Sequence, residues 1–145
     1  MHKEEIRWIQ RFSSFKKAFN KLSLIVENKK LDALNELETE GLIQRFEYTY
    51  ELAWKTLQDF LRHKGYIDIA GPTSVLQQAF ADGYIEDEKG WRNIKKSREL
   101  TAHTYNESVA EEIAESIMNS FYLLFKKLIT KLENELNTTQ SNLFE

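Results

Sequence analysis

The sequence contains no cysteine, one proline and five glycines among its 145 residues. The absence of cysteine excludes disulfide frameworks, thiolate zinc sites and cysteine nucleophiles. The scarcity of proline and glycine argues against a turn-rich β-sandwich, and the length is typical of one domain. No run of eighteen apolar residues occurs. A transmembrane helix is therefore not expected.

An excess of basic residues is also missing, since the formal net charge is −3. The chain therefore has no global positive field that would attract nucleic acid or a membrane surface. The N-terminal segment MHKEEIRWIQRF lacks an uninterrupted apolar core, so a signal peptide is not expected. These features predict a soluble cytoplasmic protein, and no cofactor or metal is expected.

Apolar residues spaced three and four apart predict several helices. The predicted segments are residues 3–28, residues 39–63, a short helix within 71–83, a fourth from IEDEKGW to about Thr101, and a last from Asn106 to about Leu136. We expect an all-α fold, an antiparallel up-and-down bundle of four main helices plus one short helix. Residues 1–137 are predicted to form one domain, and residues 138–145 a flexible tail.

The second predicted helix has two adjacent apolar faces, which is more than a helix on the edge of a bundle needs. Either it lies centrally, or part of it contacts another chain in a homodimer. Its end carries Arg62, His63 and Lys64 before Gly65, so we expect His63 to act as a cation at the helix C-terminus. The two faces comprise Leu42, Phe46, Ala53, Leu57 and Phe60, and Ile43, Tyr50, Trp54 and Leu61.

The segment SRELTAHTYNE, residues 97–107, departs from ordinary amphipathicity. Arg98 shares a helix face with Trp91 and Ile94, which lie seven and four residues before it. An arginine on a core-facing stripe is costly unless its guanidinium meets a carboxylate, a phosphate or a partner chain. One interpretation is an internal ion pair with Glu47 or Glu51 of the second helix.

His103 follows Arg98 by five residues, which is a rotation of about 140° on a straight helix. The two side chains converge only if the helix ends between them or if two copies of the chain contribute to one site. A helix break near residues 103–105 is expected. Tyr105 either bonds locally at this junction or offers a modifiable hydroxyl. His103 itself is either a structural residue of the junction or a catalytic one.

A cluster of basic residues surrounds this segment. Lys89, Arg92, Lys95 and Lys96 provide the electrostatic setting that a phosphate or an RNA backbone requires. The alternative is a solvated helix face without a ligand. Arg92, Lys95 and Lys96 are therefore candidate nucleotide- or RNA-binding residues.

Three segments resemble the HEPN superfamily, specifically the small substrate-binding subunits of nucleotidyltransferases. They are FKKAFNKL, GLIQRFEYTYELAWKTLQDFL and SRELTAHTYNE, and the likeness covers the chain except its tail. The resemblance implies a helical bundle that dimerises and pairs with a separate small nucleotidyltransferase, usually encoded beside it. The chain itself has no Gly-Ser pair followed by closely spaced aspartates, so nucleotidyl transfer is expected of the partner.

The resemblance maps an R-x-x-x-x-H-x-Y motif onto Arg98, His103 and Tyr105. In HEPN ribonucleases the arginine and the histidine of two protomers meet in a cleft and cleave RNA without metal. The histidine would assist attack by the ribose 2′-hydroxyl, and the arginine would stabilise charge on the phosphate. In toxin–antitoxin pairs the partner transferase attaches AMP to the motif tyrosine, which makes Tyr105 the candidate for modification.

One position departs from the pattern, because Glu99 stands where active HEPN nucleases often carry Asn, Asp or His. A carboxylate there would repel RNA phosphate or pair with Arg98. The sequence therefore favours an accessory substrate-binding subunit. A metal-independent HEPN-type RNase toxin, neutralised by AMP transfer to Tyr105, is the alternative. An oligomeric helical protein without a nucleotide-related role is a third interpretation.

Overall fold

The computed structural model describes the backbone of residues 2–103 and 106–143, and the side chains of residues 3–102 and 106–138. This part of the chain contains no strand. The helices are α1 His2–Val26, α2 Glu36–His63, α3 Pro72–Ala81, α4 Glu88–His103, α5 Glu107–Ser116 and α6 Tyr122–Leu143. A 3₁₀ turn, Leu31–Ala33, precedes α2, and a π-helical turn, Ile117–Phe121, joins α5 to α6. The predicted all-α bundle is confirmed, with α3 as its short helix.

Helices α1 and α2 form an antiparallel pair. Near the start of α1, the ring of Trp8 packs edge-on against Phe60 near the end of α2, with centroids 4.9 Å apart. At the opposite end, Arg45 of α2 donates from Nη1 to the carbonyl of Lys21 at 2.7 Å. The apolar side of α1 is covered in the bundle, and its residues Trp8, Phe12, Phe15 and Leu22 are fully buried.

Helix α6 returns antiparallel to α1 and closes the core. Phe19 stacks on Tyr122 at 4.9 Å between ring centroids, and Lys16 pairs with Glu133 at 2.9 Å. Phe125, which is fully buried, contacts aromatic rings of three other helices. Those rings are Phe15 of α1, Phe46 of α2 and Trp91 of α4, at centroid distances of 6.3, 6.2 and 5.7 Å.

Helix α2 lies centrally, which decides between the two explanations of its apolar faces. It contacts α1, α3, α4 and α5. Ile43, Tyr50 and Leu61, which belong to the second face, are each at most 3% exposed. Both faces are therefore covered largely within one chain, and the second face does not remain as a free dimer surface.

The start of α2 lies earlier than the predicted residue 39. Asn35 caps the helix: its Oδ1 accepts from the backbone N–H of Glu38 at 2.8 Å, and Glu38 Oε1 accepts from the backbone N–H of Asn35 at 3.1 Å. This is a capping box with a glutamate at the third helical position. The helix consequently begins at Glu36.

The backbone at the end of α2 has the predicted glycine cap, but His63 does not have the environment expected for a cation. Gly65 has φ of 114°, and the N–H of Tyr66 bonds the carbonyl of Leu61 at 3.1 Å, as in a Schellman cap. His63, however, stacks on Trp8 with centroids 6.2 Å apart, and burial lowers the pKa of His63. The expected cation is therefore disfavoured, because burial of the imidazole opposes its charged form.

The last predicted helix is interrupted by the π-helical turn. Ile113, Ile117, Phe121 and Phe125 are all buried and follow one another at intervals of four residues. Each interval overshoots the α-helical repeat of 3.6 residues, so an unbroken α-helix would rotate successive members away from the core. The wider π turn corrects this rotation. Helix α6 ends at Leu143 rather than near Leu136. None of the helices in the described part is both long and apolar enough to span a bilayer.

Candidate functional site

Arg98 of α4 faces two carboxylates of α2. Its Nη1 lies 2.9 Å from Glu47 Oε2, and its Nε lies 3.8 Å from Glu51 Oε1. Glu47 and Glu51 are four residues apart, so they occupy one side of α2. The internal ion pair is therefore the interpretation of Arg98 that the structure supports.

Thr101, which the sequence analysis did not single out, holds the same carboxylate. Its Oγ1 lies 3.0 Å from Glu47 Oε2 and 2.7 Å from the carbonyl of Arg98, so its single proton donates to one of them at a time. It also accepts from Arg98 Nη1 at 3.4 Å. The signal for this residue was its spacing of three from Arg98, which places both on one helix side.

Tyr50 and Trp54 of α2 and Arg98 of α4 carry buried donors without a hydrogen-bond acceptor in the described residues. Tyr50 is 2% exposed, and neither its hydroxyl nor Arg98 Nε has a hydrogen-bond partner among the described backbone and side-chain atoms; the same holds for Trp54 Nε1. Burial raises the pKa of Tyr50 far above its ordinary value, the charges of Glu51 and Glu99 add to this, and Arg98 opposes it. The phenol is therefore neutral and retains a proton to donate.

The predicted basic cluster is partly neutralised by neighbouring acids. Lys95 Nζ lies 2.6 Å from Glu99 Oε1, and Arg92 Nε lies 3.8 Å from Glu88 Oε1. Lys96 is exposed and forms no ion pair within the part of the chain that the structure describes. Glu99, the residue after the motif arginine, is thus engaged with a lysine of its own helix. The positive field at this face is weaker than the sequence alone suggests.

His103, the next residue of the motif, lies at the end of α4. His103 is the last residue of α4, so the helix does not end between Arg98 and His103. The side chain of His103 and the whole of Tyr105 lie outside the described residues. Asn106 begins the next helix as predicted, since its Oδ1 accepts from the backbone N–H of Val109 at 2.9 Å.

A groove of about 890 Å³ lies beside Asn106, between the 3₁₀ turn, the start of α2 and α5. Its lining includes seven acidic side chains and no lysine or arginine. Phosphate groups are repelled by such a surface. A nucleic-acid backbone near the motif is therefore expected to lie on the α4 side rather than in this groove.

A helical bundle that carries Arg98 and His103 on one helix is the arrangement expected of a HEPN-type protein. The chain belongs to the family described as nucleotidyltransferase substrate binding protein like, whose model matches residues 10–134. It is 30% identical over 92 residues to a probable ribonuclease HepT of Haemophilus influenzae, a match that covers 58% of this chain. The chain spans only 63% of that relative's length.

Two solved structures resemble the bundle. A crystal structure of a Thermus thermophilus protein superposes with a TM-score of 0.73 and 31% identity, over 81% of this chain and 98% of the other. A Haemophilus influenzae structure, described as the fold of a substrate binding domain of a nucleotidyltransferase, superposes with a TM-score of 0.59 and 24% identity. It covers 87% of this chain and 96% of its own, and at this identity it shows the fold alone.

Proposed function

We propose that this chain is an accessory, substrate-binding subunit that dimerises and pairs with a separate small nucleotidyltransferase in the cytoplasm. The observation that carries this proposal is the family match, which extends from α1 into α6 and so includes nearly the whole bundle. The engagement of Arg98 with Glu47 and Glu51 also supports a binding role, because the arginine is not a free catalytic group in the single chain.

The course of α4 supports dimerisation. Arg98 and His103 both belong to this helix, so a helix end between them cannot bring their side chains together. Five residues of helix separate them by a rotation of about 140°. A shared site then requires contributions from two copies, as the family resemblance implies. The contact uses surfaces other than the second face of α2, which is covered internally.

The family resemblance implies a small nucleotidyltransferase encoded beside this chain's gene, and such a protein would provide the direct test. We expect the two proteins, expressed together with a tag on this chain, to co-purify as a complex containing two copies of this chain. Light scattering after size exclusion measures the stoichiometry, and sedimentation equilibrium measures the dimer alone. His103→Ala is expected to remain in the complex. A monomer at micromolar concentration that leaves the transferase unbound would contradict the proposal.

A second candidate function is metal-independent RNA cleavage, favoured by the likeness to a probable ribonuclease HepT and by the motif residues. His103 would accept the proton of a ribose 2′-hydroxyl while that oxygen attacks phosphorus. The P–O5′ bond would break and the leaving O5′ would take a proton from water, giving a 2′,3′-cyclic phosphate and a 5′-hydroxyl, with Arg98 stabilising the charged phosphate. Arg92, Lys95 and Lys96 would bind the RNA backbone.

Modification would control this second function. The Tyr105 hydroxyl would attack the α-phosphorus of ATP on the partner transferase, forming a tyrosyl–AMP bond and releasing pyrophosphate.

Incubation of total RNA with unmodified wild type and with His103→Ala, in the presence of a chelator, tests the cleavage. Products with cyclic phosphate ends from the wild type alone establish the ribonuclease. A lack of cleavage by folded, dimeric, unmodified protein leaves the accessory role as the function. Tyr105→Phe is expected to abolish AMP incorporation.

A further inference from the structure

The contact between Glu47 and Arg98 has the geometry of a phosphate contact. A guanidinium binds a carboxylate and a phosphate through the same N–H donors and at similar distances. Glu47 Oε2 lies 2.9 Å from Arg98 Nη1, and the side chains are 26% and 29% exposed. Because the pair is partly withdrawn from water, it is screened less than a surface pair. The carboxylate therefore holds the donor that a ligand phosphate needs.

Two hydrogen-bond donors of Arg98 and Tyr50 have no acceptor within the described part of the chain. Arg98 Nε and the hydroxyl of Tyr50 are buried donors without a hydrogen-bond acceptor in the described residues. A buried donor without a partner costs free energy, so an added acceptor is stabilising there. A phosphate group offers several acceptor oxygens, more than the single oxygen that Glu47 now presents to Arg98. The unsatisfied donors thus indicate an acceptor-rich ligand.

Charge decides how such a ligand enters. A phosphate that approaches Arg98 with Glu47 and Glu51 in place meets two negative charges and one positive charge. Glu51 lies further from Arg98 and also pairs with Lys55 at 3.9 Å, whereas Glu47 makes the short contact. Thr101 Oγ1 lies 3.0 Å from Glu47 Oε2, so when its proton points to this carboxylate it would hold Glu47 after the guanidinium is released. Glu47 is therefore the carboxylate that a phosphate would displace from the guanidinium of Arg98.

We propose that Glu47 is an intramolecular competitor of phosphate at Arg98, and that an RNA phosphate binds by displacing it, with Tyr50 and Arg98 Nε as additional donors. This inference rests on the second proposed function, in which Arg98 contacts an RNA phosphate. Its consequence is that removal of the Glu47 charge strengthens RNA binding. A residue that merely positioned Arg98 for the ligand would have the opposite effect.

The test measures binding of a short fluorescein-labelled single-stranded RNA by anisotropy, with His103→Ala in every protein so that no cleavage occurs. Glu47→Gln removes the charge and keeps an acceptor for Thr101. Asp68→Asn is the matched control, because it makes the same change of charge at an exposed residue in the loop between α2 and α3. A third protein combines Glu47→Gln with Arg98→Ala. Thermal unfolding by circular dichroism checks each fold.

We expect Glu47→Gln to raise the RNA affinity about fivefold, the effect of releasing one partly exposed ion pair. The slope of log affinity against log salt should stay about the same in Glu47→Gln, because the same phosphate contact forms, and should become shallower by about 0.7 when Arg98→Ala removes one contact to a single strand. Asp68→Asn should change the affinity less than about twofold, since exposed charges act weakly. Adding Arg98→Ala should remove the gain.

An unchanged or reduced affinity in Glu47→Gln would overturn the competition. So would a gain that survives Arg98→Ala, or an absence of RNA binding in every variant. None of these results affects the partnership with the transferase, which co-purification tests separately. If Glu47→Gln does not fold, Glu47→Asp carries the test: the shorter side chain keeps the charge but reaches Arg98 less well, so a smaller gain in affinity is expected.

Discussion

Asp59 of α2 is 2% exposed, and its Oδ2 accepts a hydrogen bond from Arg11 Nε of α1 at 3.1 Å, across 48 residues of sequence. The arginine is 37% exposed, so its head reaches the carboxylate from the edge of the core. A buried carboxylate requires such a partner because burial without one is costly. The pair fixes the register of α1 against α2, on which the position of Glu47 and Glu51 also depends.

We expect Arg11→Ala to lower the free energy of unfolding by about 2 kcal/mol, less than for a fully buried pair because Arg11 is partly exposed. The loss arises from the unpaired charge left on Asp59. Adding Asp59→Asn should therefore recover part of it. Urea unfolding measures each variant, and Lys17→Ala on an exposed site of α1 is the control, expected to stay within about 0.5 kcal/mol. Equal losses in the single and the double variant would show that the charge is not the cause.

The aromatic cluster around Phe125 carries the second prediction. Phe125 contacts rings from three other helices and is fully buried. Truncation there removes a large apolar area and leaves a cavity, so Phe125→Ala should cost about 3–5 kcal/mol in chemical unfolding. Leu123→Ala, two residues away and 50% exposed, should cost far less. Similar costs for the two variants would contradict the packing described for α6.

Much of the fold was predictable because helical periodicity is a local signal. The spacing of apolar residues located five helices, and Gly65 and Asn106 marked an end and a start that the structure confirms. The ion pair of Arg98 with α2 was one of the predicted alternatives, since an arginine on a core-facing stripe requires a partner. That partner had to come from a neighbouring helix.

Other features depend on tertiary packing and could not be predicted in the same way. The charge state of His63 depends on the ring of Trp8, which is distant in sequence. The unsatisfied donors of Tyr50 and Arg98 appear only when α4 is packed on α2. The π-helical turn did leave a sequence signal, the repeated spacing of four from Ile113 to Phe125. The cap at Asn35 was also visible in the sequence, because Glu38 follows Asn35 by three residues, as in a capping box.

That capping box provides the third prediction. Asn35→Ala removes the acceptor for the Glu38 N–H and should destabilise the protein by about 1 kcal/mol. Asn35→Asp preserves the acceptor and should be close to wild type. Thermal or urea unfolding checks both variants. Because Asn35 caps α2 twelve residues before Glu47, about 18 Å along the helix axis, Asn35→Ala should leave RNA binding unchanged once the protein is folded. A neutral Asn35→Ala would mean that water replaces the cap at this exposed site.

The fourth prediction concerns pH. Burial lowers the pKa of His63 below its ordinary value of 6.5, and the positive charge of Lys64 adds to this against the opposing charges of Glu5 and Glu4. In the interval between the lowered pKa and 6.5, the unfolded chain binds the proton that the folded chain excludes. The free energy of unfolding should therefore be at its full value above this interval and should fall as the pH decreases through it.

His63→Phe isolates this contribution, because phenylalanine keeps a ring against Trp8 and cannot titrate. We expect the wild type to lose more stability than His63→Phe when urea unfolding is compared at about pH 7.5 and about pH 5.5, on either side of the ordinary histidine pKa. The other titrating groups are common to both proteins, so the difference between the two losses belongs to His63. Equal losses would mean that His63 is protonated as readily in the folded chain as in the unfolded one. In that case the helix C-terminus, rather than the contact with Trp8, would control its charge.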